Sequence, residues 1–221
     1  MSLLELIFPK KCVGCNKLGS FLCQGCCEKI ETLRTQICPF CYKNALRGQT
    51  HPACFKKDGL DGIISFYYYR GPVRALIKNL KYRFTTSLLS EVGKKLAFDE
   101  NLLPSKTWAL LPVPLTKQKQ NYRGFNQAEL LGKLVAEKLG LAVEKEILKK
   151  IKPTKSQVGL SRVQRRLNIE KSFEVVGKVK GQSFYIFDDV WTSGATLKVI
   201  ARELKKAGAE KVWGLTLAHP H

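Results

Sequence analysis

Apolar positions along the chain change their period part-way, and the change divides it. Residues 63–69 are β-branched or aromatic almost without interruption, which predicts a buried strand. Val73, Leu76, Ile77 and Leu80 then recur at helical spacing over residues 72–81, with Pro72 at a first-turn position where its missing N–H costs nothing. Residues 108–113 form a short apolar run closing on prolines, a second buried strand. An amphipathic helix is predicted over 126–139, stopped by Gly140. Another strand follows at 183–187, then a helix over 195–207 with Gly208 as its stop, and a last strand at 211–218. Strands alternating with helices predict right-handed crossovers and an α/β fold, a largely parallel sheet flanked by helices.

Before about Lys57 that pattern is absent. The segment is turn-rich, has no periodic apolar run, and buries too little surface to fold without a staple. All eight cysteines lie in it, between Cys12 and Cys54, so the chain divides into a cysteine-rich module (1–57) and an α/β domain (58–221). The spacings are Cys12-x-x-Cys15, Cys23-x-x-Cys26, Cys38-x-x-Cys41 and His51-x-x-Cys54. Each pair can supply two ligands to one zinc ion, and two pairs close a tetrahedron, so one or two structural zinc ions are expected. Sequential pairing gives Cys12, Cys15, Cys23 and Cys26 in one site, and Cys38, Cys41, His51 and Cys54 in the other; a cross-braced arrangement satisfies the same spacings. Redox pairs are the competing reading of Cys-x-x-Cys, but successive pairs in a reducing compartment favour structural metal. Cys27 is left over as a buried or free thiol.

The strongest chemical signal follows the strand at 183–187. Asp188 and Asp189 are delivered to the carboxyl edge of the sheet, where open α/β folds bind ligands. Val190, Trp191, Thr192, Ser193, Gly194, Ala195 and Thr196 then lead directly into a helix. Backbone N–H groups at a helix start, with the positive end of its dipole, cradle phosphate. Gly194 permits close backbone approach, and the hydroxyls of Thr192, Ser193 and Thr196 add donors. Two carboxylates beside such a cradle make sense with a ribose between them, accepting hydrogen bonds from vicinal hydroxyls.

The stretch resembles the phosphoribosyl-pyrophosphate (PRPP) motif of type I phosphoribosyltransferases. The resemblance implies that Asp188 and Asp189 hold the ribose 2- and 3-hydroxyls, and that Ala195, Thr196 and their loop neighbours hold the 5-phosphate. Purine-salvage members carry a carboxylate where this chain has Thr192, which argues against that substrate class. Upstream, Pro112-Val113-Pro114 and Asn121-Tyr122-Arg123-Gly124-Phe125-Asn126-Gln127-Ala128 place Arg123 at the mouth of a helix, similar to the segment that contacts pyrophosphate in the orotate branch. Residues 156–168, with Arg162, Arg165 and Arg166, lie where the family has a mobile hood closing on pyrophosphate.

These segments, in this order and together with Tyr69-Arg70-Gly71-Pro72-Val73-Arg74, resemble the ComF family, over nearly the whole chain. The resemblance implies a zinc-binding amino terminus ahead of a phosphoribosyltransferase-like domain, Mg²⁺ bound with PRPP, and a role on incoming single-stranded DNA in natural transformation, with a competence helicase as a candidate partner. It leaves open an active phosphoribosyltransferase of unidentified acceptor, or a PRPP-sensing regulator.

Charge adds a constraint. The formal net charge is +20, from 38 Lys and Arg against 18 Asp and Glu, which suits polyanions: nucleic acid or phosphorylated small molecules. Tyr67, Tyr68, Tyr69, Tyr82 and Phe84 lie among Arg70, Arg74, Lys78, Lys81 and Arg83, an interleaving that suits single strands. No apolar run spans a bilayer, so membrane insertion is not expected. The apolar start at residues 1–7 lacks the basic leader and cleavage site of a signal peptide, and a cytoplasmic location is expected.

Overall fold

The computed structural model describes residues 9–82, 86–151 and 172–220. Its centre is a four-stranded sheet in the order β1-β6-β5-β2, with every neighbouring pair parallel. The strands are β1 (Gly62–Tyr68), β2 (Ala109–Pro112), β5 (Phe184–Val190) and β6 (Val212–His219). Two short strands, β3 (Leu148–Lys150) and β4 (Phe173–Val175), pair antiparallel outside it. The helices are α1 (Gln24–Cys27), α2 (Gly71–Tyr82), α3 (Thr86–Lys95), α4 (Lys117–Arg123), α5 (Gln127–Leu139) and α6 (Ala195–Lys206). The parallel α/β sheet flanked by helices is therefore the architecture that the alternating pattern predicts.

Register shows how the sheet is covered. Leu110 pairs with Tyr185 and Phe187 with Leu215, so these side chains share one face. Helix α5 lies there, with Gly132 against Leu110 and Phe187. Gly214 opens the opposite face, where a Cβ would meet Ile63 and Leu197, and there α6 packs. Both helices bury an apolar stripe: Leu131, Val135 and Leu139 on α5, Leu197, Ile200 and Leu204 on α6. With apolar layers on both faces, β6 is buried along its whole length.

The amino-terminal segment is laid along the outer edge of β1. Leu33 donates its backbone N–H to the Phe66 carbonyl, Tyr68 donates to Glu31, and Thr50 donates to Asp61. Between them the buried Gln36 side chain acts as a surrogate strand: its Nε2 donates to the Ser65 carbonyl and its Oε1 accepts from the Ser65 N–H, both at 2.9 Å. Cys12, Leu22 and Cys26 join the same apolar cluster as the sheet. Among the described residues no helix is long and apolar enough to cross a membrane.

Candidate functional site

The acid pair sits at the carboxyl end of β5. The strand runs on past the predicted 187 to Val190, because Asp188 still pairs with Thr216 and Val190 with Ala218 on β6. Both aspartates are half-buried, and the Asp189 N–H donates to Asp188 Oδ1 at 2.9 Å. Trp191, 1% exposed, turns back into the core. Thr192 and Ser193 are exposed, and Gly194 takes the left-handed conformation, φ +66°, that starts α6. The first turn of α6 carries no acidic side chain, so its dipole faces the loop without a compensating carboxylate, while the Ala195 N–H donates to Ser193 Oγ at 3.4 Å. Asp188, Asp189, Val190, Thr192, Ser193, Gly194, Ala195 and Thr196 thus fall within one strand end, one loop and one helix start.

At the carboxyl end of β2, the strand that pairs with β5, lies a cleft of about 610 Å³, lined in part by Thr116, Lys117, Asn126, Glu129, Lys145 and Lys150 but by none of residues 188–196. Asn126 holds its frame: the side chain caps α5 by accepting from Ala128 N–H at 3.1 Å and donates to the Val113 carbonyl at 3.0 Å. Of these lining residues only Asn126 falls in a segment that the sequence reading singled out, and Lys150 is the omission closest to the acids. It is half-buried, lies 5.1 Å from the Phe173 ring centroid, and is near enough to Asp188 for their charges to interact. Burial lowers its pKa, the charge of Lys119 lowers it further, and Asp188 opposes both. A lysine at the end of a three-residue strand has no sequence signal beyond its charge.

Arg123 comes three residues ahead of Asn126, the cap of α5, but at the end of a helix of its own. Residues 117–123 form their own helix, α4, capped by Thr116, and Arg123 is its last residue, half-buried before the Gly124 turn. Arg162, Arg165 and Arg166 lie outside the described residues, as does the rest of the predicted hood.

The cysteines gather into two groups, Cys12, Cys15, Cys23, Cys26 and Cys38, Cys41, His51, Cys54, with the ligand atoms of each within 4.8 Å of one another. This is the sequential arrangement, and either group could hold a metal ion. Cys15 and Cys23 sulfurs are 3.6 Å apart, near the roughly 3.8 Å separation implied by a tetrahedral zinc with Zn–S of about 2.3 Å. His51 offers Nδ1, 3.3 Å from the Cys41 sulfur, while its Nε2 lies 3.0 Å from the Asn44 carbonyl. A carbonyl on the far nitrogen fixes a metal-facing imidazole in its tautomer. Burial pushes the Cys12 thiol up, but backbone N–H groups of Cys23, Cys15 and Gly14 outweigh it and bring it down to about 6. Burial is likewise overcome at Cys38 by the N–H groups of Cys41, His51 and Phe40, which take it to about 7. Burial, then neighbouring thiols, raise Cys26 to about 12 and Cys54 to about 11. Backbone donors aimed at sulfur suit thiolate ligands, and repulsion among the thiols is what a divalent cation relieves. Both donor sets therefore fit structural zinc. Cys27 belongs to neither group; its sulfur lies 3.9 Å from the Lys95 carbonyl.

One relative in Haemophilus influenzae, competence protein F, is 31% identical over 232 residues, covering 96% of this chain and 98% of its own. The chain belongs to the ComF family. Another ComF relative, the DNA utilization protein YhgH of Salmonella typhimurium, is 28% identical over 207 residues, covering 88% of this chain and 89% of its own. No family model matches this ComF chain. Among solved structures, the allosteric regulatory enzyme of purine biosynthesis aligns at 19% identity and a TM-score of 0.34, over 83% of this chain and 31% of that one.

The aromatic and basic patch that this ComF sequence suggested for single strands is only partly available. Tyr67 is 2% exposed and gives its hydroxyl to the Ala97 carbonyl, because strand alternation turns it into the core. Tyr68 and Tyr69 are half-buried, with the Arg70 guanidinium 4.6 Å from the Tyr68 ring centroid and paired to Glu31. Arg83 and Phe84 lie outside the described residues, and so do the side chains of Lys81 and Tyr82.

Proposed function

We propose that this chain binds PRPP, or another phosphoribosyl ligand, in a phosphoribosyltransferase-like domain, and acts in the cytoplasm on incoming single-stranded DNA during natural transformation. The observation that carries the ligand is the half-buried acid pair at the end of β5, followed at once by the left-handed Gly194 start of α6. The names of the relatives, competence protein F and DNA utilization protein, support the DNA role. In this reading Asp188 and Asp189 accept hydrogen bonds from the ribose hydroxyls. Val190, Thr192, Ser193, Gly194, Ala195 and Thr196 surround the 5-phosphate. Arg123, Arg162 and Arg166 offset the charge of the pyrophosphate. Mg²⁺ would enter with PRPP, beside Asp188 and Asp189, and would offset the charge of the pyrophosphate, since magnesium favours substrate phosphates over all-protein cages. The division into 1–57, holding two structural zinc ions, and 58–221 is part of the same proposal.

Calorimetry with PRPP and Mg²⁺ tests the ligand. Asp188→Asn combined with Asp189→Asn should lower affinity by about 100-fold while the thermal melt stays in place, and unchanged affinity overturns the assignment. Metal analysis of protein purified under reducing conditions should find about two zinc ions per chain; none would remove both centres. The cleft of about 610 Å³ at the end of β2, whose Lys150 interacts electrostatically with Asp188, favours a second reading, transfer of ribose 5-phosphate to an acceptor. A panel of nucleobases with PRPP, scored for pyrophosphate release, separates turnover from binding alone.

A further inference from the structure

We propose that Tyr42 and Lys198 are positioning residues for the loop at 192–196, and that through them metal at the Cys38, Cys41, His51, Cys54 group and the phosphoribosyl ligand bind with positive coupling. The ligand half rests on the reading above, while the contact between metal group and loop does not.

Two turns in the amino-terminal segment have the same backbone. In the first, Asn16 N–H donates to the Cys12 carbonyl at 2.8 Å and Cys12 N–H to Lys17 at 2.9 Å. In the second, Tyr42 N–H donates to the Cys38 carbonyl at 3.0 Å and Cys38 N–H to Lys43 at 2.8 Å. Each turn needs a left-handed residue just after its second cysteine: Asn16 at φ 63° and Tyr42 at φ 62°. Asparagine enters that region readily, whereas tyrosine pays a steric cost there. A poorly suited residue held in a strained conformation points to a demand from elsewhere in the fold.

The demand comes from the phosphate loop. The Tyr42 hydroxyl donates to the Ser193 carbonyl at 3.0 Å and accepts from Lys198 Nζ at 3.2 Å. The same ammonium lies 5.1 Å from the Tyr42 ring centroid, 5.4 Å from Phe40 and 5.5 Å from Trp191. Lys198 thus sits among three rings, two on the cysteine turn and one beneath the loop, in the geometry by which aromatic faces hold a cation. Phe40 and Tyr42 flank Cys41, so a metal held by that sulfur restrains the backbone that carries both rings. Trp191 in turn packs against Gly194, where an added Cβ would come 2.1 Å from its ring.

The first cysteine group provides a built-in control. It is anchored to α3 instead, with Phe21 N–H donating to Glu91 at 2.9 Å and Lys95 donating to the Leu22 carbonyl. Ordering the second turn lowers what the loop must still lose on taking up ligand, and linkage makes that effect reciprocal. The two groups should therefore differ: ligand at the loop tightens metal in the second and leaves the first alone.

Zinc release from the full-length protein to a chromophoric chelator, with and without PRPP and Mg²⁺, reads the coupling directly. One of two release phases should slow by about 5- to 10-fold with PRPP, and Tyr42→Phe should abolish the slowing while keeping both metals. Lys198→Met, which leaves the turn untouched, should do the same and weaken PRPP by a similar factor. Equal slowing of both phases, or slowing that survives in both variants, overturns the proposal. If the wild-type protein takes up no PRPP, the phosphoribosyl reading falls by itself. The positioning claim is then decided by hydrogen exchange at 192–196, which should speed up in both variants at full metal content. Unchanged exchange overturns it.

Discussion

At position 194 the backbone and a neighbouring ring make the same demand. Its φ of +66° lies in the left-handed region, and a Cβ there would lie 2.1 Å from the Trp191 indole, which is buried and has nowhere to retreat. Gly194→Ala should cost about 2–4 kcal/mol in urea denaturation, adding backbone strain to overpacking, and should take ligand binding with it. Glu129 is the residue whose charge matters at the cleft. Burial pushes its carboxyl up, but hydrogen bonds from Lys145 and Lys133 outweigh that and hold its pKa below the usual range. A depressed carboxylate stabilises the fold above its unfolded pKa and loses that contribution as pH falls through the folded one. Glu129→Gln should therefore cost under about 1 kcal/mol near pH 7, because its partners Lys133 and Lys145 are about half exposed to screening solvent, and nothing at a pH below both values. Paired melts at neutral and acid pH measure the difference.

Among the elements, the edge of β1 is where a single side chain does the most. Gln36→Leu would leave the Ser65 N–H and carbonyl without their amide partners in a buried site, for a loss of about 2–3 kcal/mol in chemical denaturation. Elements with a strong period were legible: β1, α2, α5, α6 and β6 lie within a few residues of where Ile63, Val73, Asn126, Ala195 and Val212 put them. Helix α3 carried a readable stripe in Leu88, Leu89 and Val92, all buried, yet drew no prediction. Helix α4 could not be read, because Lys117–Arg123 has no apolar face and is bounded only by Thr116 and Gly124. The pairing of β3 with β4 joins three-residue segments on either side of the predicted hood, and so left no local trace. At the site, the acid pair and the cysteine spacings were visible because their ligands are close in sequence. The Tyr42 to Ser193 contact bridges 151 positions, and only folding reveals it.

Over the whole molecule the charge of +20 is spread across both parts of the chain, from nine basic and three acidic residues through Lys57 to 29 and 15 beyond it. With Tyr67 in the core, single-strand affinity should come mainly from cations rather than from a stack of rings. Anisotropy titrations with single- and double-stranded oligonucleotides should show sequence-tolerant binding that falls steeply between low and physiological salt. Absence of binding at low salt would leave the charge to phosphorylated small molecules.

The place of β6 has a consequence for how the chain comes off the ribosome. It lies between β1 and β5 and pairs with both, yet it is made after every other strand of the sheet. Until residues 212–219 emerge, β1 has the amino-terminal segment on one side and nothing on the other, while β5 and β2 wait as a separate pair. When the Val212 N–H meets the Asp61 carboxylate, ahead of β1, the sheet itself is closed. Until residues 212–219 are made, nascent chains therefore carry open, apolar strand edges, the state that holding chaperones recognise and that aggregation consumes. A stalled ribosome, or a protease that clips just before Val212, would release the protein in that state even with residues 188–196 and every cysteine present.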